Sequence, residues 1–232
     1  MKKIIAILAV AAAAVGMSLS AAAQGTAAKG FGIVGGFTSS SSNAKNFDKS
    51  SVSQYLFGIT YKLPLVSGFA IQPGLIYHVK GANLEDADKN HVSAYDFVSS
   101  FQTKTGYLEV PVQIQWGPDL LAFRPYAFAE PFVGYQVSKN EDVKGVTVSE
   151  DELNSYLNDH KRKLEYGLGL GLGLEFSRLQ ISAKYFWNFG SLYTAPDQST
   201  GSAVNAAGST IRNAFKDGKN FNGIDVSLAI FF

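Results

Sequence analysis

The sequence predicts an all-β fold: an eight-stranded antiparallel up-and-down transmembrane β-barrel, with short turns at one end, long loops at the other and one short loop helix. Three observations carry this expectation. Residues 166–176 read YGLGLGLGLEF, with Leu168, Leu170, Leu172, Leu174 and Phe176 on one face and mostly glycine on the other. Seven further segments repeat a side-chain period of two. That period belongs to strands, because successive Cβ atoms point to opposite faces. The connections between segments alternate long and short, which is the asymmetry of short periplasmic turns and longer extracellular loops.

The N-terminus reads as a secretory signal. Lys2 and Lys3 precede an apolar stretch over residues 4–15, and Ala21-Ala22-Ala23 supplies an A-x-A pattern. The stretch is too short for a comfortable membrane helix. The expected division is a signal peptide over residues 1–23, cut between Ala23 and Gln24, then one barrel domain over residues 24–232. Cysteine is absent, which excludes disulfides, thiolate catalysis and lipid attachment at an N-terminal cysteine. Charged residues make up 17% of the chain, against about 25% in soluble domains. Net charge is +1 with no basic stripe, so no nucleic-acid partner is expected.

Taken in order, the first strand, residues 31–37, is weak, and a polar loop is expected over residues 38–53. The second sets Tyr55, Phe57, Ile59, Tyr61 and Leu63 against Gln54, Gly58, Thr60 and Lys62. After a turn at 64–68, the third sets Phe69, Ile71, Pro73, Leu75, Tyr77 and Val79 against Ala70, Gln72, Gly74, Ile76, His78 and Lys80. A loop over 81–106 leads to the fourth, with Leu108, Val110, Val112, Ile114 and Trp116 opposing Glu109, Gln113 and Gln115. The fifth, residues 123–137, has two apolar rows, Ala127/Ala129/Val133 and Tyr126/Phe128/Phe132. A β-bulge at Pro131 would account for that ambiguity. A loop over 138–165 precedes the glycine–leucine strand, and Ser177-Arg178 makes a tight turn. The seventh sets Leu179, Ile181, Ala183, Tyr185, Trp187 and Phe189 against Gln180, Ser182, Lys184 and Asn188. After a loop over 190–220, the eighth sets Ile224, Val226, Leu228, Ile230 and Phe232 against Asp225, Ser227 and Ala229.

A soluble lipocalin-like barrel shares the strand count, but it has no reason to segregate long loops to one end. Volume decides which row faces in. Eight strands enclose a lumen just wide enough for side chains to fill. The small and polar rows fit there, so the Tyr/Phe/Trp/Leu rows are expected to face lipid. Tyr61, Tyr77, Trp116, Tyr185, Trp187 and Phe232 fall near strand ends, as aromatic girdles do. These features point to the outer membrane of a Gram-negative bacterium.

Several motifs occur in a fixed order: Ile71-Gln-Pro73-Gly-Leu75-Ile-Tyr77 with Lys80-Gly81, then Tyr107-Leu-Glu109-Val-Pro111, Arg124-Pro125-Tyr126 with Pro131 and Gly134-Tyr135, Glu175-Phe176, and Tyr185. With them the chain resembles the outer-membrane β-barrel family of Bacteroidetes, labelled PorT-like or porin-family. The resemblance implies an eight-stranded outer-membrane barrel and no single activity.

Candidate functional residues lie on the inward rows: Lys62, Glu109, Arg124, Glu130, Glu175, Lys184 and Asp225. They are expected to form ion pairs that plug the lumen, since unpaired buried charges are costly. Glu175 is expected to partner Arg124 or Lys184. The glycines do not fit G-x-G-x-x-G, because Leu172 occupies the last position, and the run is too short for a helix-packing G-x-x-x-G. Asp86-x-Asp88-x-Asn90 begins like a calcium loop, but His91 and Phe97 replace its Gly and Glu. No metal, cofactor or enzymatic activity is expected, because His78, His91 and His160 form no nucleophile–base set. Ser149-Glu-Asp-Glu152 is a capping box, and a helix is expected over residues 150–163. The basic end of that helix, His160-Lys-Arg-Lys163, is a candidate contact for lipopolysaccharide phosphates. Phe232 is the expected signal to the outer-membrane assembly machinery, and outer-membrane lipid is the expected surround. The expected role is structural or surface-interacting. A narrow passive pore and a component of a secretion apparatus are the alternatives. Replacing Leu170 with Arg should cost about 2–4 kcal/mol if it faces mid-membrane lipid, measured by denaturant unfolding in bilayers; little loss would reverse the inside–outside assignment.

Overall fold

A computed structural model describes residues 28–42, 47–86, 100–120, 122–144, 162–193, 209, 212 and 220–232. Eight strands close into one barrel in sequence order. They are β1 (Gly30–Ser42), β2 (Phe47–Pro64), β3 (Phe69–Asp86), β4 (Ser100–Trp116), β5 (Arg124–Lys144), β6 (Leu164–Phe176), β7 (Leu179–Asn188) and β8 (Phe221–Phe231). Each strand runs antiparallel to its sequence neighbour, and β1 closes on β8 with Gly32 opposite Phe231 and Ser42 opposite Phe221. Closure leaves no sheet edge, so every strand finds partners within the wall.

The short-turn end is tightly built. Leu65 N–H donates to the Phe69 carbonyl at 2.7 Å, around a 3-10 turn in which Ser67 and Gly68 take positive φ. Between β6 and β7, Ser177 at φ 53° makes the tight turn that the Ser177-Arg178 pair suggests. At the other end the strands outrun their apolar segments. Much of residues 38–53, 81–106 and 138–165, expected as loop, is strand: β1 reaches Ser42, β3 reaches Asp86, β4 starts at Ser100 and β5 reaches Lys144. Beyond the membrane the outer face meets water, so the apolar alternation that marks a strand in sequence is no longer required. Serine- and threonine-rich segments continue the ladder there through their backbones. Of the expected loop helix (residues 150–163), residues 150–161 lie outside the described residues, as does the calcium-like motif apart from Asp86, which ends β3. Arg162 and Lys163, which are described, are not helical.

Outward rows are apolar throughout the middle of the wall. Ile33, Ile59, Leu75, Val110, Leu170 and Val226 stand exposed between two bands of aromatics. Phe31, Tyr61, Phe69, Trp116 and Phe232 mark the short-turn end, with Phe31 edge-on to Tyr61 at 4.8 Å. Phe37, Tyr55, Phe57, Tyr77, Tyr185 and Trp187 mark the other end; Phe57 lies 5.4 Å from Tyr77 and Tyr185 lies 4.6 Å from Trp187. An aliphatic belt between aromatic girdles is the outer surface of a membrane barrel.

β5 corrects two expectations. Its aromatic row, Tyr126, Phe128 and Phe132, faces the lumen, while Ala127 and Val133 face out. The bulge sits at Val137, since Gly106 pairs with Ser138 and Tyr107 with Gln136. At Pro131 the β4–β5 ladder opens over Val112 and Gln113, but Pro111 still opposes Phe132 and Ile114 opposes Ala129. The missing proline N–H removes local bonds without changing register. At Pro73, the carbonyl instead accepts from Thr60 Oγ1 at 2.9 Å.

Large rings fit inside because the neighbouring strand has no side chains there. Tyr126, Phe128 and Phe132 oppose Gly173, Gly171 and Gly167. A Cβ on Gly173 would sit 2.2 Å from Tyr126 Cζ. Gly173→Ala should therefore destabilise the barrel by about 1–3 kcal/mol through overpacking. In a double-mutant cycle with Tyr126→Ala, followed by chemical unfolding, most of that loss should vanish; independent effects would contradict the packing.

Candidate functional site: a charged network in the lumen

Alternation along the strands points a polar side chain into the lumen at every second residue, and the narrow bore brings those from different strands into contact. At the short-turn end, Glu175 of β6 pairs with Lys62 of β2 and accepts from the Ala28 backbone N–H. Arg124 of β5 reaches Glu175 at 3.4 Å, Gln115 at 3.2 Å and the Gly68 carbonyl at 2.7 Å. Its Nε lies 3.3 Å from Asp119. One guanidinium thus ties the β2–β3 turn, the β4–β5 turn and β6 together, as a planar five-donor fork can. Arg124 also stacks over Tyr126 at 5.4 Å, which Lys62 approaches at 5.5 Å.

Gln115 and Gln113 of β4 carry the network upward, linked at 2.9 Å, and Gln113 donates to Glu130 at 2.6 Å. Lys184 of β7 joins Glu130 to Asp225 of β8, the latter at 3.1 Å. His78 of β3 lies between Asp225 at 3.4 Å and Glu109 of β4 at 3.0 Å. Lys80 then bridges Glu109 at 2.7 Å and Glu165 of β6 at 3.0 Å. Asn188 caps the chain by donating to Glu165 at 2.6 Å. The Lys80 ammonium also lies 4.4 Å from the Phe132 ring and 4.8 Å from that of Phe186.

The seven sequence-derived candidates, Lys62, Glu109, Arg124, Glu130, Glu175, Lys184 and Asp225, all lie within this chain of contacts. Glu175 meets Arg124 as well as Lys62, whereas Lys184 serves Glu130 and Asp225 instead. His78, Lys80 and Glu165 were missed as members. The first two stand on the inward row of β3, and Glu165 extends the glycine row of β6 by one step, so strict alternation carries the signal for all three. Phe232 faces outward, and its backbone N–H donates to the Phe31 carbonyl at 2.8 Å. Ala23 and Gln24 lie outside the described residues.

Charges of opposite sign alternate along the bore, and each has a partner. A cavity bordered by His78, Glu109, Gln113, Glu130, Lys184 and Asp225 has a volume of about 40 Å³, room for about one water. Among the described residues no group of His, Asp or Glu is arranged to hold a metal ion. The arrangement can cross-link strands and order a polar interior; it presents no nucleophile beside a base.

The family described as outer membrane protein beta-barrel domain matches residues 22–194. The chain belongs to this family. It is an outer-membrane protein, and its aromatic girdles and aliphatic belt are the surface that lipid covers. Among solved structures, Neisserial surface protein A is 11% identical over 89% of this chain and 99% of that chain, with a TM-score of 0.42. The outer membrane protein OprG from Pseudomonas aeruginosa is 12% identical over 89% of this chain and 94% of that chain, at 0.43. The N-terminal β-barrel domain of Pseudomonas aeruginosa OprF is 10% identical over 88% of this chain and all (100%) of that chain, at 0.30. No curated protein matches the chain.

Glu175→Gln leaves Lys62 and Arg124 facing a neutral group, and breaking one member of a buried pair costs about 3–5 kcal/mol. Adding Lys62→Met should restore part of that loss. Unfolding midpoints of the two variants in the same detergent give the comparison; no recovery in the double variant would separate the two residues energetically.

Proposed function

We propose that this family member is a non-conducting outer-membrane barrel whose role is structural or surface-interacting. The observation that carries this reading is the continuous chain of ion pairs and hydrogen bonds from Glu175 through Gln115 and Gln113 to Glu165, which leaves about 40 Å³ of cavity at its middle. A permeating ion would have to break buried pairs at each level, and each unpaired buried charge is costly. The surface role draws on the long-loop end. From Tyr77 to Asp86, β3 continues about 30 Å along the strand past the aromatic girdle, at about 3.4 Å per residue. β2, β4 and β5 extend alongside it, raising one side of the wall above the membrane as a serine- and threonine-rich palisade.

The finer assignments belong to the same proposal. The ordered proline and glycine motifs favour the PorT-like branch of Bacteroidetes barrels, with a link to a secretion apparatus as the second reading. The lysine pair, the apolar stretch and the A-x-A pattern favour removal of residues 1–23 as a signal peptide, leaving residues 24–232 as the barrel domain. Phe232 is assigned to recognition by the assembly machinery, and lipopolysaccharide is the proposed contact of the outer end. No catalytic role is assigned. Reconstituted in planar bilayers, the protein should give no steady openings. Reproducible single-channel currents would favour the narrow pore, and copurification with secretion components would favour the second reading.

A further inference from the structure

The outer wall is not uniformly bulky. Near the short-turn end an apolar groove of about 520 Å³ runs across β5, β6, β7 and the edge of β8. Along one hydrogen-bonded row the outward residues are Trp116, Ala127, Leu172, Ala183 and Val226. Large and small side chains alternate, so Ala127 and Ala183 make two troughs on either side of Leu172, which stands 69% exposed. Two strand spacings separate the troughs, about 10 Å. In the next row towards the turns, Pro125, Leu174 and Ile181 continue the same relief.

The ridge of Leu172 and Leu174 leads directly into the turn at Ser177-Arg178. Arg178 is exposed, its carbonyl accepts from Phe231 N–H, and its guanidinium has no partner among the described residues. Arg178 is not part of the groove's lining, but it follows the Leu172–Leu174 ridge in the chain, in the turn that closes that end of β6, so an exposed cation lies within the same short-turn end as the twin trough. That is the polarity of an anionic two-chain amphiphile: hydrocarbon along the wall, phosphate at the water boundary. The troughs are continuous with the lipid-covered belt.

We propose that this groove is a site for one anionic phospholipid of the periplasmic leaflet, with an acyl chain on each side of Leu172 and the phosphate on Arg178. Guanidinium groups bind phosphate through paired N–H donors, which gives the site a preference among lipids that a plain apolar surface lacks.

Trp116 borders the groove, and Trp187 is the other tryptophan of the chain. Trp187→Phe therefore leaves one reporter. In phosphatidylcholine vesicles carrying a small equal fraction of brominated phosphatidylglycerol or brominated phosphatidylcholine, the anionic phosphatidylglycerol should quench Trp116 at least twofold more strongly. Arg178→Ala should abolish that preference, and Ala183→Leu should weaken quenching by the preferred lipid. Native mass spectrometry of the unmodified protein should retain one phospholipid, lost in Arg178→Ala. Equal quenching by the two lipids, or a preference that survives Arg178→Ala, would overturn the site. Shielding of Trp116 from both lipids that grows with protein-to-lipid ratio would mean that a second copy covers the groove, which also overturns it.

Discussion

A closed wall of eight strands encloses a lumen of fixed and small cross-section, and every inward side chain competes for that space. The rest of the structure follows from this constraint. Tyr126, Phe128 and Phe132 enter the bore because Gly173, Gly171 and Gly167 stand opposite them on the next strand. A Cβ at any of those glycines would collide with the ring opposite it. The same crowding brings ionisable groups from β2 to β8 within contact distance, where they must pair. Arg124 illustrates the result: one side chain meets a carboxylate, a glutamine and two turns.

The interior and exterior exchange the roles they have in a soluble protein. Outside, apolar residues meet lipid and no packing partner selects them individually. Inside, polarity is specific. A chain of pairs such as Glu130–Lys184–Asp225–His78–Glu109 draws on β5, β7, β8, β3 and β4, so it closes only when all five strands hold their register. A one-residue slip of any one of these strands would move its own group to the lipid face and leave that group's partners unpaired. Ion pairs of this kind add little net energy over an apolar filling, but they penalise every wrong register heavily.

The outer wall departs from uniformity in three places, each with a local cause. Pro73 and Pro131 open the ladder without moving the register, and a threonine hydroxyl meets one of the freed carbonyls. β2 to β5 continue past the girdle, where water takes over from lipid. Ala127 and Ala183 leave relief between the larger Trp116, Leu172 and Val226 of their row. The ridge of Leu172 and Leu174 leads in the chain to the exposed Arg178 of the following turn.

Period two, the count of strands, the alternation of short and long connections and the choice of inward row were all legible in the sequence. Each depends only on the chemistry of one strand at a time: alternate residues meet either hydrocarbon or the bore. Lys62, Glu109 and Asp225 could be assigned to the lumen on that basis, and His78 and Lys80, which share the inward row of the third strand, follow from the same rule. Arg124 and Glu130 marked the inward row of β5, but that the rings of Tyr126, Phe128 and Phe132 fit on that same row could not be read from the strand alone; the glycines of β6 make the room across the strand boundary. The ends of β1 to β5 beyond the girdle were hidden as well, because water on the outer face removes the apolar signal while the backbone ladder continues. The pairing within the lumen belongs to the tertiary structure alone. Which cation meets Glu175 depends on the stagger of eight strands around a closed ring, and no single strand carries that information.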